Sequence, residues 1–333
     1  MKKKNFLHFT FKNIWILLFI FFLTSCSFGL PSSEKTLSVG YCVDILGTEN
    51  ESYHHPIVQC LINLEKKGEL QLQLRRSNKK EDYKQHIQAL AQNNAVVFCS
   101  PLMKEECIEC SFQYPETQFV LLDTYPFQME KMVLPDRENL TFLFFSDEEI
   151  ATIAGFIAAH ISDTESAALY FPGSQNSPLK NRLYNHYVEG FRLASPGSEN
   201  IIFCFTQEDF ESGKMSQEIE NTSVGSIFYF PGLYYASLVD ETAPLAKEIA
   251  FPYWSLFLLG GEQGYHDHFA GVIRKNYPSV IEYVLGQYKK QMGELDSVIV
   301  CTRKENAFLF NPGDFPFSDE SLQRINEFLM QPK

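Results

Sequence analysis

Short apolar runs alternate along this chain with stretches whose apolar positions recur every three or four residues, and each kind of run predicts a different element. Leu37 to Val43 (LSVGYCV) reads as a buried strand, and Leu70 to Leu74 (LQLQL), alternating at period two, as a half-buried one. Further strands are predicted at Ala95–Cys99, Gln118–Leu122, Leu140–Phe145, Ala167–Phe171, Ile201–Phe205, Ser226–Phe230 and Leu256–Leu259. Helical spacing falls at His55–Lys67, Tyr83–Asn93, Asp147–His160, Leu179–Ala194 and Ser279–Met292. Strands interleaved with helices imply parallel sheets covered by helices on both faces. Ligands of such sheets bind beyond the carboxyl ends of the strands, so candidate chemistry belongs in the loops that follow them. Those loops read DILGTENESYHH after the first strand, SPLMKEE after Cys99, DTYPFQ after Leu122, PGSQNSPLK after Phe171, PGLYY after Phe230 and GGEQGYHDH after Leu259. They supply carboxylates, His, Tyr and Phe. Neither GxGxxG nor GxxxxGK[ST], the glycine-rich cradles for phosphate, occurs.

The N-terminus follows a different pattern. Lys2, Lys3 and Lys4 open the chain, Ile14 to Leu23 (IWILLFIFFL) is uncharged and apolar, and small residues Thr24 and Ser25 precede Cys26. The run is shorter than the roughly 20 residues a membrane-spanning helix needs. The tetrad Leu23-Thr24-Ser25-Cys26 resembles the lipobox cut by lipoprotein signal peptidase. Residues 1–25 are therefore expected to be an export signal and Cys26 the lipidated N-terminus of the mature chain, with 26–35 a polar tether. Two or more acyl chains anchor stably, so the protein is expected on a membrane outside the cytoplasm, at the periplasmic face or the cell surface.

Charge and cysteine content narrow the classes further. The full chain carries −13, and removing the four Lys of the signal leaves −17, which offers no electrostatic footprint for nucleic acid. From Cys26 onward 308 residues remain, enough for one large or two medium domains. Seven further cysteines are an odd number, so at least one stays unpaired. Cys42, Cys99, Cys204 and Cys301 lie in strand-like runs, where Cys acts as a small hydrophobe. The Cys107–Cys110 spacing is open to a disulfide or to buried thiols. Adjacent His54 and His55 point in different directions on any regular element, and neither GxSxG nor HExxH occurs. No enzyme activity, metal or cofactor is expected.

In order along the chain, several blocks resemble the basic membrane protein family, the PnrA-like lipoproteins that bind substrates for nucleoside ABC transporters. The family's first loop runs Asp, a Gly-containing turn, then Ser-Phe-Asn, matched here by Asp44…Ser52-Tyr53-His54. Its apolar run ending in aspartate is similar to Tyr114–Asp123, and its Phe, acids and small-residue helix to Phe145–Gly155. A later strand ending Gly-x-Asp corresponds to Leu259-Gly260-Gly261-Glu262, and a basic crossover to Val272-Ile273-Arg274-Lys275-Asn276. Lys304 to Leu329 fits the closing strand and helix. His54 stands where Asn is usual, Glu262 where Asp is usual and Arg274 where Lys is usual.

The resemblance implies a two-lobed α/β fold of the type I periplasmic-binding-protein class, each lobe a parallel sheet flanked by helices, joined by three crossovers. The limits implied are 36–142 with 276–296 for the first lobe and 143–275 with 297–330 for the second. It implies a nucleoside site, purine favoured over pyrimidine, in the interlobe cleft, a permease and ATPase as partners, and a monomer. Tyr53 would be an aromatic platform, or else pin its loop. Phe230 would supply the opposing face or belong to the core. Asp44 and His54 would reach base-edge atoms, with a cap on the following turn the other role for Asp44. Glu262 with Arg274 would grip the ribose, or form a hinge salt bridge, and Asp123 would accept from the sugar or cap its strand. A lipoprotein of this fold acting as a sensor or interaction protein is the alternative.

Overall fold

The computed structural model describes residues 36–48, 52–125, 137–161, 166–171, 173–197, 201–230, 254–259 and 269–331. The export signal, Cys26, the tether and Glu262 lie outside the described residues.

Strands, numbered in chain order, form two six-stranded sheets. The first contains β1 (Leu37–Val43), β2 (Leu70–Arg76), β3 (Val96–Cys99), β4 (Gln118–Leu121), β5 (Leu140–Phe145) and β11 (Val298–Cys301), in the order β11-β5-β4-β3-β1-β2. All its pairings are parallel. The second contains β6 (Ser166–Phe171), β7 (Ile201–Thr206), β8 (Ser226–Tyr229), β9 (Trp254–Leu259), β10 (Phe269–Lys275) and β12 (Phe308–Pro312), in the order β12-β10-β9-β8-β6-β7. Only β12 runs antiparallel to its neighbour, β10. The protein thus has the two-lobed α/β fold of periplasmic binding proteins.

Both faces of the first sheet are buried along its inner strands β1, β3, β4 and β5, which explains their unbroken apolar runs, whereas edge strand β2 alternates and is largely exposed. Along β3, Val96 and Phe98 join one core cluster while Val97 and Cys99 join another, as period-two side chains must. Helices α1 (His54–Lys66) and α8 (Tyr277–Lys290) feed the first cluster, through Ile57, Leu61, Val280 and Ile281. Helices α2 (Tyr83–Ala91) and α3 (Lys104–Gln113) feed the second. Helix α3 was not expected from the pattern, because its inward face is built from Cys107, Cys110 and Ser111 amid charged neighbours. That settles the Cys107–Cys110 question: both are buried thiols, and all seven cysteines among the described residues are unpaired.

In the second lobe, α4 (Asp147–Ile161) and α5 (Pro178–Ala194) cross at backbone contact. A Cβ on Gly155 would lie 1.9 Å from the Tyr187 carbonyl oxygen, and one on Gly190 would lie 1.9 Å from that of Thr152. Only glycine permits this approach. Helix α9 (Asp319–Met330) packs beside α4, and the short α6 (Gln207–Glu211) and α7 (Lys214–Thr222) lie together after β7.

Sheet membership carries the chain between lobes after Phe145, after Lys275 and after Cys301, against expected limits at 142/143, 275/276 and 296/297. The crossings are tied together. Ser146 N–H donates to the Cys301 carbonyl at 3.0 Å, Arg303 Nε to Glu149 Oε2 at 2.6 Å, and Asn276 Nδ2 to the Asn306 carbonyl at 2.8 Å. Glu149, in the first turn of α4, thereby fixes the third crossing.

Candidate functional site

Two polar clusters stand where the carboxyl ends of the first sheet meet the crossings. The first follows β1. Asp44 and His54 are completely buried. Asp44 Oδ1 accepts from the Leu46 backbone N–H at 2.8 Å and lies 2.9 Å from His54 Nε2, while Oδ2 accepts from the Tyr53 hydroxyl at 2.7 Å. The Tyr41 hydroxyl bonds His54 Nδ1. Burial by itself would raise the Asp44 pKa, but hydrogen bonding and attraction from His54, with the Ser100 and Tyr53 hydroxyls, hold it down at about 2. Tyr53 is half-buried, stacks on His54 with ring centres 4.1 Å apart, and stands 6.0 Å from the Tyr277 ring. Ser52 Oγ accepts from the His54 N–H at 3.2 Å, just ahead of α1.

The second cluster lies at the crossings. Asp123, just past β4, has φ of +47°, a left-handed conformation that Asp tolerates better than most residues. Both its oxygens accept from Lys275 Nζ, at 2.9 and 2.7 Å, and Oδ2 accepts from the Tyr277 hydroxyl at 3.0 Å. The side chains are 19% and 7% exposed, so the pair is shielded yet reachable at the lobe boundary. The Lys275 ammonium also sits 5.2 Å from the centre of the Phe145 ring. Beside it, the Tyr125 hydroxyl lies 3.3 Å from the Phe145 carbonyl and hydrogen-bonds Asp147. Burial raises the Asp147 pKa to about 6; Tyr125 and Lys275 oppose the rise, and Asp123 and Glu148 add to it.

The expected residues divide between these clusters and the core. Asp44, Tyr53 and His54 come together after β1, with Asp44 and His54 turned inward. Asp123 reaches the crossing. Arg274 pairs in register with Leu309 and Leu259, and the cation that meets Asp123 is its neighbour Lys275. Consecutive strand residues face opposite sides, so one position decides which cation serves the boundary. Phe230 is 3% exposed and packs edge-on against Phe228 in the core cluster. Lys275, Tyr277, Tyr125 and Asp147 were missed by sequence reasoning. The basic dipeptide that ends β10 was a usable signal for Lys275, but its register was not.

Among the described residues, no group of three or more His, Cys, Asp or Glu is placed to hold a metal ion. No helix among them is long and apolar enough to cross a membrane.

Residues 48–201 match the sequence profile of a family described as ABC transporter substrate-binding protein PnrA-like. No curated protein matches the chain. Solved structures share the fold at low identity. A solute-binding protein of an ABC transporter system from Aeropyrum pernix K1 superposes with a TM-score of 0.53 at 13% identity, over 88% of this chain and 90% of that one. One from Conexibacter woesei DSM 14684 gives 0.59 at 11%, over 88% and 95%. A transcriptional activator of the comK gene from Bacillus halodurans gives 0.58 at 14%, over 88% and 96%.

Proposed function

We propose, from the match of residues 48–201 to the PnrA-like family of ABC-transporter substrate-binding proteins, that the chain is a binding protein of this kind and captures a nucleoside, purine before pyrimidine, between its lobes for delivery to a cognate permease and ATPase. As a binding protein it catalyses no reaction. The observation that carries the ligand reading is the Asp123–Lys275 pair at 2.7 Å. A carboxylate beside an ammonium is matched to a vicinal diol, because one accepts from and the other donates to the two hydroxyls, and charged partners strengthen both bonds. Lys275 takes the place in the grip that the resemblance implied for Arg274. Tyr53 offers the base an aromatic face, and Asp44 and His54 hold that ring in position from behind. Glu262 joins the grip from the second lobe, and Phe230 backs the wall at the end of β8. Ligand capture draws the lobes together about the three crossings. Cys26 carries the lipid that keeps the domain beside its permease in the cell envelope.

Calorimetric titration of the soluble domain from Ser27 onward with adenosine, guanosine, inosine, cytidine and uridine tests this. Binding of at least one purine nucleoside at micromolar concentration is expected, and Tyr53→Ala and Glu262→Ala should each weaken it at least tenfold, about 1.4 kcal/mol. Failure of all five at high micromolar concentration would sink the nucleoside reading. A second reading, a lipoprotein of this fold serving as a sensor or interaction protein, draws on one observation. Asp44 has its acceptors used internally by Leu46, His54 and Tyr53, which removes a carboxylate from ligand recognition.

A further inference from the structure

We propose that Tyr277 is a positioning residue of the ligand site. Its hydroxyl occupies Asp123 Oδ2 and leaves Oδ1 to meet a ribose hydroxyl, so that selection of a nucleoside over its deoxy analogue depends on Tyr277. The inference rests on the nucleoside reading for its choice of ligand.

An ionised carboxylate offers about two lone-pair positions on each oxygen. Asp123 Oδ2 accepts from Lys275 Nζ at 2.7 Å and from the Tyr277 hydroxyl at 3.0 Å, which fills both. Among the described residues, Oδ1 accepts one bond, from Lys275 Nζ at 2.9 Å, and keeps a position open. The Asp123 side chain is 19% exposed and Tyr277 only 2%, so the carboxylate can meet a ligand while the phenol stays covered. Tyr277 therefore acts through Asp123.

Tyr277 is anchored at the start of α8. Asn276, just ahead of it, donates through its backbone N–H to the Ala307 carbonyl and through Nδ2 to the Asn306 carbonyl, both at 2.8 Å. The Tyr277 ring packs edge-on against Phe145, centre to centre 5.1 Å, and the Lys275 ammonium lies 5.2 Å from that same ring. One short segment thus sends two donors to Asp123, one from the last strand residue of the second lobe and one from a helix start of the first. Lys275 bridges both carboxylate oxygens and treats them nearly alike, and the terminal torsion of an aspartate is soft. The Tyr277 hydroxyl makes the two oxygens different. It leaves the ligand one acceptor, aimed in one direction. A site that aims an acceptor at a hydroxyl rejects the analogue lacking it, because the acceptor is then left unpaired. Without the phenol, Oδ2 regains an open position, the carboxylate can turn or take water, and the rejection weakens.

The test uses the soluble domain with adenosine, 2′-deoxyadenosine and 3′-deoxyadenosine in calorimetry. Wild type should favour adenosine by about tenfold or more over one of the two deoxy analogues. In Tyr277→Phe that ratio should shrink by about threefold or more, chiefly through lost adenosine affinity. Tyr288→Phe makes the same change further along α8, where the hydroxyl meets the Ala95 carbonyl, and should keep the wild-type ratio. An unchanged ratio in Tyr277→Phe overturns the proposal, and so does an equal loss for all three ligands, which is what a purely structural tyrosine would give. NMR of the Lys275 Nζ resonance in the ligand-free domain, assigned by its disappearance in Lys275→Met, reads the arrangement without a nucleoside. Tyr277→Phe should move that resonance and speed its proton exchange, and Tyr288→Phe should leave it in place. If none of the three ligands binds, the nucleoside reading fails and the resonance decides alone. A shift confined to Tyr277→Phe supports the positioning of the Asp123–Lys275 pair, and an indifferent resonance overturns it.

Discussion

The cluster behind β1 and the cluster at the crossings are built from the same chemistry and resolve it oppositely. Behind β1, one carboxylate meets an amide, an imidazole and a phenol, and the balance of burial against hydrogen bonds falls on the side of the charge. Asp44 is held ionised down to about pH 2. At the crossings, the Lys275 ammonium is bonded to Asp123, and at the neighbouring Asp147 burial wins over attraction. Asp147 is kept protonated up to about pH 6. The difference shows that the balance of hydrogen-bonding partners against burial separates the two carboxylates. A buried charge whose acceptors are all used stabilises a single arrangement, whereas a buried carboxyl whose partners are too weak to offset burial stays open to protons.

Removing Asp44 should break the first region most severely. Asp44→Ala leaves His54, the Tyr53 hydroxyl and the Leu46 amide without their acceptor, and a loss of about 3–5 kcal/mol is expected. Urea denaturation measures it, and a loss below about 1 kcal/mol would show that the cluster is not a structural unit. At the crossings, Asp123→Ala should instead act on affinity, weakening nucleoside binding at least tenfold, or about 1.4 kcal/mol, in calorimetry. A variant that binds as wild type removes Asp123 from the site.

Acid separates the regions further. Asp44 has a depressed folded-state pKa, so its contribution is complete above the unfolded value near 4 and is lost as pH falls towards 2. For Asp147 the shift is upward. Its neutral form favours folding below the unfolded value, and that advantage is lost as pH rises through about 6. Asp147→Asn should therefore exceed wild type in stability at pH 7.5 by about 1–2 kcal/mol, after allowance for solvent screening, and match it below pH 4. Thermal melts across that range are the check, and a constant offset would contradict the assignment. The smallest effect is expected for Tyr53→Phe, which deletes one hydrogen bond to Asp44 and keeps the ring. About 1 kcal/mol of stability should go, with the stacking platform intact. A larger fall in affinity than in stability would mean that the hydroxyl itself meets the ligand.

Much of this architecture was legible in the sequence. Period-two and period-3.6 patterns located β1 to β8 and the long helices to within a few residues. Alternation of strand with helix implied parallel sheets, and the loop that Asp123 opens was marked because it follows a strand. Helix α3 escaped because its buried stripe is cysteine and serine, which do not register as a hydrophobic face. Strand β10 was read as a basic crossover, so the choice between Arg274 and Lys275 depended on a register that nothing local specifies. Asp147 and Tyr125 stood in loops and helix starts already marked, but their partners are distant in sequence.

What the sequence determined by itself, then, was local periodicity, fold class and a short set of acids and aromatics at strand ends, because side-chain spacing and burial preference are written residue by residue. Tertiary structure alone decided which of those groups share partners. His54 meets Asp44 across the β1 loop, and Lys275 meets Asp123 across 152 residues. Whether a carboxylate is saturated or left open is a property of such distant pairings, since it depends on how many donors converge in space on one acceptor.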